Sequence, residues 1–274
     1  MNPVSTADPT GAAPPEGAPV AQAAESRPPR RTGGRSLVGW LLMPVLLALA
    51  SALLYLYVRA HELDSIEARS LNADRLTESL VRHVQLTAVS TALVIAIAVP
   101  LGVLLTRPAT RRIRPAVLTL ANIGQAVPTI GVLALLAVAF LFLGFRAAVV
   151  GLVAYAVLPV LRNTMVGLEQ VDESVLEAGR GMGLSRLQVL RRIELPLAVP
   201  IILAGVRTAL IINVGTATLA TFINGGGLGD IIVAGLATNR VLVQIVGAAL
   251  TALLALLVDY LAGVVEDVLR PKGL

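Results

Sequence analysis

The sequence contains no cysteine, one lysine and few aromatic residues, and charge is scarce throughout. Without cysteine there are no disulfides and no thiol chemistry, and the redox compartment stays open. The lone lysine is Lys272, followed by Gly273-Leu274. A phosphate-binding loop needs G-x4-G-K-[ST], so that route to nucleotide hydrolysis is excluded. The two histidines, His61 and His83, fall in one polar segment, which argues against a multi-histidine metal site. Charged residues make up 14% of the 274 residues, against about 25% in a soluble domain. With 56% hydrophobic residues and a mean hydropathy of +0.81, the chain reads as an all-α membrane protein. The formal net charge of +5 does not point to nucleic acid. The arginines sit in short stretches between apolar runs, the pattern of membrane-protein loops.

Residues 1–36 are rich in Pro, Ala and Gly without apolar periodicity, and read as a disordered tail. Six spans are expected beyond it, within a membrane domain at 37–274. Leu37 to Val58 is the first. A cleaved signal peptide is the rival reading, but the run exceeds an h-region of about 7–15 residues, and Arg30-Arg31 are followed by Thr32-Gly33-Gly34, a poor export signal. Val84 to Leu105 is the second span. Pro115 to Phe145 is a third span interrupted by Pro128, with its main body at Pro128 to Gly144. Ala147 to Leu161, Pro196 to Phe222 and Val241 to Gly263 complete the set. The tail, the cluster Arg107 to Arg114 and the stretch Arg162 to Arg192 are basic and fall on one side. The positive-inside rule makes that side cytoplasmic, which places the chain in the cell membrane with both termini in the cytoplasm. The balanced segment Arg59 to His83 and the glycine-rich turn Asn224 to Asp230 fall outside.

The polar segment 172–195 carries two short helices. Asp172 caps the first, and Ser174 with Glu177 offers a second capping pattern. Gly183 ends it at a left-handed position. Ser185, with Gln188 in the third position, caps another helix that runs toward Glu194 and stops before Pro196. Within this segment Glu177-Ala178-Gly179, three residues, Gly183, nine residues, Ile193, one residue, Leu195-Pro196 resembles the E-A-A-x3-G-x9-I-x-L-P loop of importer-type ABC permeases. Gly179 in place of the second alanine is the one departure. The resemblance implies a type I importer permease fold in which the helix carrying Glu177, Ala178 and Gly179 is a coupling helix. It docks into a groove on a separate ATP-binding subunit. ATP and Mg belong to two such subunits, and no cofactor belongs to this chain, a transport subunit and not an enzyme. An ordinary amphipathic loop is the alternative reading of the segment.

Further stretches resemble the osmoprotectant permeases for glycine betaine, carnitine and choline. They are Gln125-Ala-Val-Pro128-Thr129, Tyr155-Ala-Val-Leu-Pro159-Val-Leu-Arg162-Asn163-Thr164, Ala204-Gly205-Val206-Arg207-Thr208-Ala209, Ala217-Thr218-Leu219-Ala220 and Gly226-Gly227-Leu228-Gly229. Ala126 and Asn224 depart from the family pattern. The resemblance implies an extracytoplasmic binding protein and a second permease, either a copy or a sister. The aromatics Trp40, Tyr55, Tyr57, Tyr155, Tyr260 and four Phe are scattered, and no cage for a quaternary ammonium group is visible, so the binding protein is expected to choose the ligand. An amino-acid importer and an ion-coupled secondary transporter are the alternatives. The latter calls for acids in mid-membrane.

Polar residues at membrane depth are candidates for a translocation pathway: Gln125 and Thr129 beside the Pro128 break, Asn163, and Thr216. Asn163 and Thr164 are also read as satisfying backbone. Arg207 is the one arginine well inside a span, and an unpaired charge there costs about 2.5–3.5 kcal/mol. Asp259 in the sixth span is the expected partner, with a structural role. Gly225 to Gly229 is read as a tight turn near the outer gate, not a phosphate cradle.

Overall fold

A computed structural model of the chain describes residues 37–269. The tail expected at 1–36 and the residues after 269 lie outside the described residues. Helix α1 is Leu37–Arg59, and a short α2, Ser65–Ser70, follows under a capping box from Asp64 and Glu67. Asn72 caps α3, Ala73–Leu105. After a 3-10 turn at Pro108–Thr110 come α4, Arg114–Ala126, α5, Thr129–Ala139, and α6, Phe145–Glu169. Then follow α7, Glu173–Gly181, and α8, Arg186–Val189, which passes through a π turn at Leu190–Glu194 into α9, Leu195–Thr216. A 3-10 segment at Ala217–Ile223, α10, Gly229–Ala237, and α11, Val241–Leu269, complete the described residues. Among the described residues, five helices are long and apolar enough to cross a membrane, and the pair α4–α5, bent by 91°, raises the number to six if counted as one span.

Several boundaries differ from the sequence reading, each for a physical reason. The second span begins at Ala73 rather than Val84, because the Asn72 cap starts a helix of 33 residues. At 1.5 Å per residue it is about 50 Å long, more than the hydrocarbon needs. The fourth span continues past Leu161 to Glu169, since no residue after Arg162 breaks the helix before its end. The third has no single main body: Pro128 divides it into pieces of 13 and 11 residues, each too short to span alone. The helix capped by Ser185 does not stop before Pro196. Proline is tolerated in the first helical turn, and the π turn carries the helix into α9. The helix α10 has no counterpart in the reading.

The core is built on α3, α6 and α9, which pack along their lengths. Leu86, Leu133, Leu152 and Ile223 fill one end, and Val94, Leu105, Val160, Leu161 and Met165 the other. Small residues bring the backbones together, as packing between helices in lipid requires. A Cβ on Gly205 would stand 2.7 Å from Asn163 Cβ and 3.0 Å from the Pro159 carbonyl. The helix α1 lies at the edge. Leu41, Leu46, Leu49, Leu53, Tyr55 and Leu56 are among its exposed side chains, as suits a face turned to lipid, and Tyr260 on α11 donates to the Trp40 carbonyl at 3.0 Å.

At the end of the bundle away from α7, the glycine-rich turn is folded tightly onto the 3-10 segment. A Cβ on Gly229 would lie 2.0 Å from the Thr218 carbonyl oxygen, a backbone atom that cannot step aside. Gly229→Ala should therefore lower the thermal midpoint of the detergent-solubilised protein, at a cost of about 1–3 kcal/mol or more. An unchanged midpoint would contradict the close approach.

Candidate functional site

The segment 172–195 forms a compact knuckle at one end of the bundle. Asp172 accepts the Ser174 N–H at 2.8 Å and caps α7, while the pattern at Ser174 and Glu177 goes unused. That N–H holds the Asp172 carboxyl below its ordinary range. Gly183 has φ +85°. Its N–H reaches the Arg180 carbonyl at 2.9 Å and the Leu184 N–H reaches that of Gly179 at 3.2 Å, a Schellman end to α7. Ser185 and Gln188 form a reciprocal capping box.

The inner face of α7 carries Leu176 and Gly179, both buried, and Gly179 lies against Ile193 and Val189. A Cβ on Gly179 would sit 2.6 Å from Ile193 Cδ1, so the bare glycine admits the isoleucine tip. The outer face presents Glu177 and Ala178, both exposed. Around them stand apolar side chains that water would not favour: Met182 is 75% exposed, Leu187 54% and Val175 42%. Leu195 and Pro196 open α9, where Glu194 lies buried at its base.

The other polar candidates are distributed along the helices. Pro159 has no N–H to offer the Tyr155 carbonyl one turn earlier, and Gln125 Nε2 fills that vacancy from α4 at 3.4 Å. Asn163 donates to the Pro159 carbonyl at 2.9 Å, Thr164 to that of Val160 at 2.7 Å, and Thr216 to that of Ile212 at 2.7 Å. Thr129 is buried in the first turn of α5. A cleft of about 520 Å³ opens at the far end of the bundle, lined by Arg75, Glu78, Arg82, Gln85, Asn224 and Asp230 among others. None of these polar candidates is among the residues lining it.

Arg207 and Asp259 meet between α9 and α11, with Nε to Oδ1 at 2.5 Å and Nη2 to Oδ2 at 2.8 Å. Because α11 continues past Gly263, Glu266 also reaches Arg207 at 3.6 Å. Asp259 is thus not the only acid on that helix facing the arginine.

The sequence reading missed three features. His83 does not belong to a polar loop but is fully buried on α3. Its Nδ1 accepts the Leu228 N–H at 3.2 Å, so Nε2 carries the proton and donates to the Val214 carbonyl at 2.9 Å. Asn224, which departs from the family pattern, has φ +60°, a left-handed position that asparagine tolerates. Arg107 grips Glu194, and Arg114 grips Glu169, each with two nitrogens. The first pair is separated by 87 residues, and no local pattern announces it.

Residues 98–271 match the family model described as the binding-protein-dependent transport system inner membrane component. The chain belongs to this family. It is a permease, then, and its relatives narrow the company it keeps. It is 42% identical over 207 residues to the carnitine transport permease protein OpuCD of Listeria monocytogenes, covering 75% of this chain and 92% of that protein. It is 41% identical to the glycine betaine/carnitine/choline transport system permease protein OpuCB of Bacillus subtilis, over 74% of this chain and 92% of the relative. Among solved structures, an inward-facing form of the MetNI methionine ABC transporter aligns at a TM-score of 0.63 and 25% identity, over 72% of this permease and 96% of that chain. An amino acid ABC transporter aligns at a TM-score of 0.60 and 18% identity, over 70% and 92%, which supports the fold alone. The type I importer permease fold is thereby established, and membership implies ATP-binding and substrate-binding partners.

If the Arg207–Asp259 pair ties α9 to α11, then Arg207→Asp or Asp259→Arg alone should leave little folded permease in the membrane. Breaking such a pair costs about 3–5 kcal/mol. The double exchange should recover much of it. Equal losses in all three variants, measured by fluorescence-detected size exclusion, would count against the pair.

Proposed function

We propose that the chain is the membrane subunit of an ATP-driven importer for osmoprotectants such as glycine betaine, carnitine and choline. The carrying observation is the knuckle. It keeps an acid and exposed apolar side chains on its outer face while its inner face is packed onto the base of α9. Exposed apolar groups on an otherwise polar segment mark a docking surface. Here the partner is an ATP-binding subunit, and α7 enters a groove on it. Two such subunits serve two permeases, this chain with a copy or a sister, and they hold the ATP and Mg. The knuckle end faces the cytoplasm, together with both termini.

An extracytoplasmic binding protein delivers the solute at the opposite end, where the cleft and the glycine-rich turn lie. Closure of the ATPases on ATP turns the cavity outward, and hydrolysis returns it. The permeases named for carnitine, choline and glycine betaine, at 36–42% identity, support the substrate class. The binding protein selects the ligand, consistent with aromatics that form no cage. Gln125, Thr129, Asn163 and Thr216 remain pathway candidates, although their hydrogen-bonding to backbone favours structural duty for three of them. The methionine transporter among the structural neighbours motivates an amino-acid importer as second reading.

The test is co-purification followed by transport in proteoliposomes with the cognate ATPase and binding protein. Glycine betaine, choline or carnitine should be imported only with ATP. Methionine uptake in their place would favour the second reading, and uptake persisting without the ATPase would overturn the proposal. Glu177→Arg should insert normally yet lose ATPase association. Normal association would remove the docking surface from the account.

A further inference from the structure

The connection between α3 and α4 is tied to itself and to both sides of the knuckle. Thr106 Oγ1 donates to the Val103 carbonyl at 2.8 Å, Arg107 Nε to the same carbonyl at 3.2 Å, and Thr110 Oγ1 bonds the Leu104 and Arg107 carbonyls. These bonds satisfy acceptors left open at the end of α3, and so make the connection continuous with that helix. From it, Arg107 reaches Glu194 with Nη1 at 3.2 Å and Nη2 at 2.5 Å. Glu194 is only 5% exposed. Where the connection ends, Arg114 opens α4 and holds both carboxylate oxygens of Glu169, the last residue of α6. The two acids bracket the knuckle, one just before α7 and one at the end of the π turn. Both are held by arginines of one short connection.

We propose that Arg107 and Arg114 are positioning residues for energy coupling. In this role they pass a displacement of α7 into α3 and into the broken span α4–α5. The proposal rests on the docking reading of α7. The path is contiguous. Gly179 receives the tip of Ile193, Ile193 adjoins Glu194, and Glu194 is clamped by Arg107. A two-nitrogen grip on a carboxylate fixes orientation as well as distance, whereas a single charge contact can pivot. The second clamp acts on α4, whose far end is the 91° break beside Pro128. Asn122 on α4 also accepts from Arg162 on α6 at 2.7 Å, and Gln125 on α4 donates to the Tyr155 carbonyl, so α4 is held to α6 at three points. A push on the knuckle thus meets a frame that cannot yield at α9 without moving α3, nor at α6 without moving α4.

The experiment uses the assembled importer in proteoliposomes, with ATPase subunits and binding protein present. Three quantities are read: ATPase co-purification, ATP hydrolysis, and solute imported per ATP. Arg107→Gln should co-purify and hydrolyse ATP as the wild type does, while import per ATP falls about tenfold, a coupling loss of ordinary size. Arg107→Glu combined with Glu194→Arg should restore most of it. Arg114→Gln, at the more exposed pair, should lower the ratio about twofold. A wild-type ratio in Arg107→Gln overturns the proposal, and so does a charge exchange no better than Arg107→Glu alone. If Arg107→Gln does not accumulate in the membrane, Arg114→Gln decides, and an unchanged ratio there overturns the proposal. Normal ATPase binding by Glu177→Arg defeats the docking reading instead, while the Arg107 ratios still report on the clamps.

Discussion

The contact between Gly179 and Ile193 is the point on which the architecture turns. A short helix outside the membrane has too little surface to hold its own place, since isolated helices below about 12–15 residues are marginal in water. Helix α7 has nine residues. It is fixed because its bare glycine accepts the isoleucine that begins the climb into α9, with Leu176 and Val189 closing the small core. The cap at Asp172, the left-handed Gly183 and the box at Ser185 and Gln188 then set the direction of the chain around that contact. Without it the acid and apolar groups of the outer face would have no defined geometry to offer a partner.

The π turn at Leu190–Glu194 gives this contact its reach. It joins the knuckle to α9 without a loop, so the base of a membrane helix and the proposed docking surface form one body. The buried Glu194 and its arginine extend that body to α3. At the opposite end, the glycine-rich turn is locked from α3 as well: His83 bridges Leu228 and Val214, and Arg82 donates to the Gly225 carbonyl at 3.1 Å. One helix of 33 residues therefore touches both the knuckle's anchor and the turn nearest the far cleft. That is a physical basis for action at one end to be felt at the other.

Much of this was legible in the sequence where the signal was local or stood out against its surroundings. The caps of α7 and α8 are fixed by residue type at fixed offsets. Arg207 and Asp259 were readable because a charge inside an apolar run has few partners. The proline break at Pro128 announced itself, though not the sharpness of the bend. Other features lacked such a signal. Pro196 reads equally as a stop or as a helix start, and only the π turn decides. Helix α10 is short and apolar beside glycines, a pattern shared by turns. His83 looked polar because its neighbours are, and its burial depends on a turn 145 residues away in sequence. The Arg107–Glu194 pair joins two charged stretches in which no local pattern tells one arginine or one acid from another. Membership in the family, reached by a motif of fixed spacing, proved readable well before these long-range pairs.

Because the chain has no cysteine, a single one can be placed on the knuckle without background. The central claim, that α7 seats on the ATP-binding subunit, is tested most directly by Ala178→Cys paired with a cysteine in that subunit's groove and oxidised in native membranes. A cross-link should form at Ala178 and be absent from a control cysteine at Thr238, an exposed position just after α10. A link at Thr238 with none at Ala178 would contradict the account.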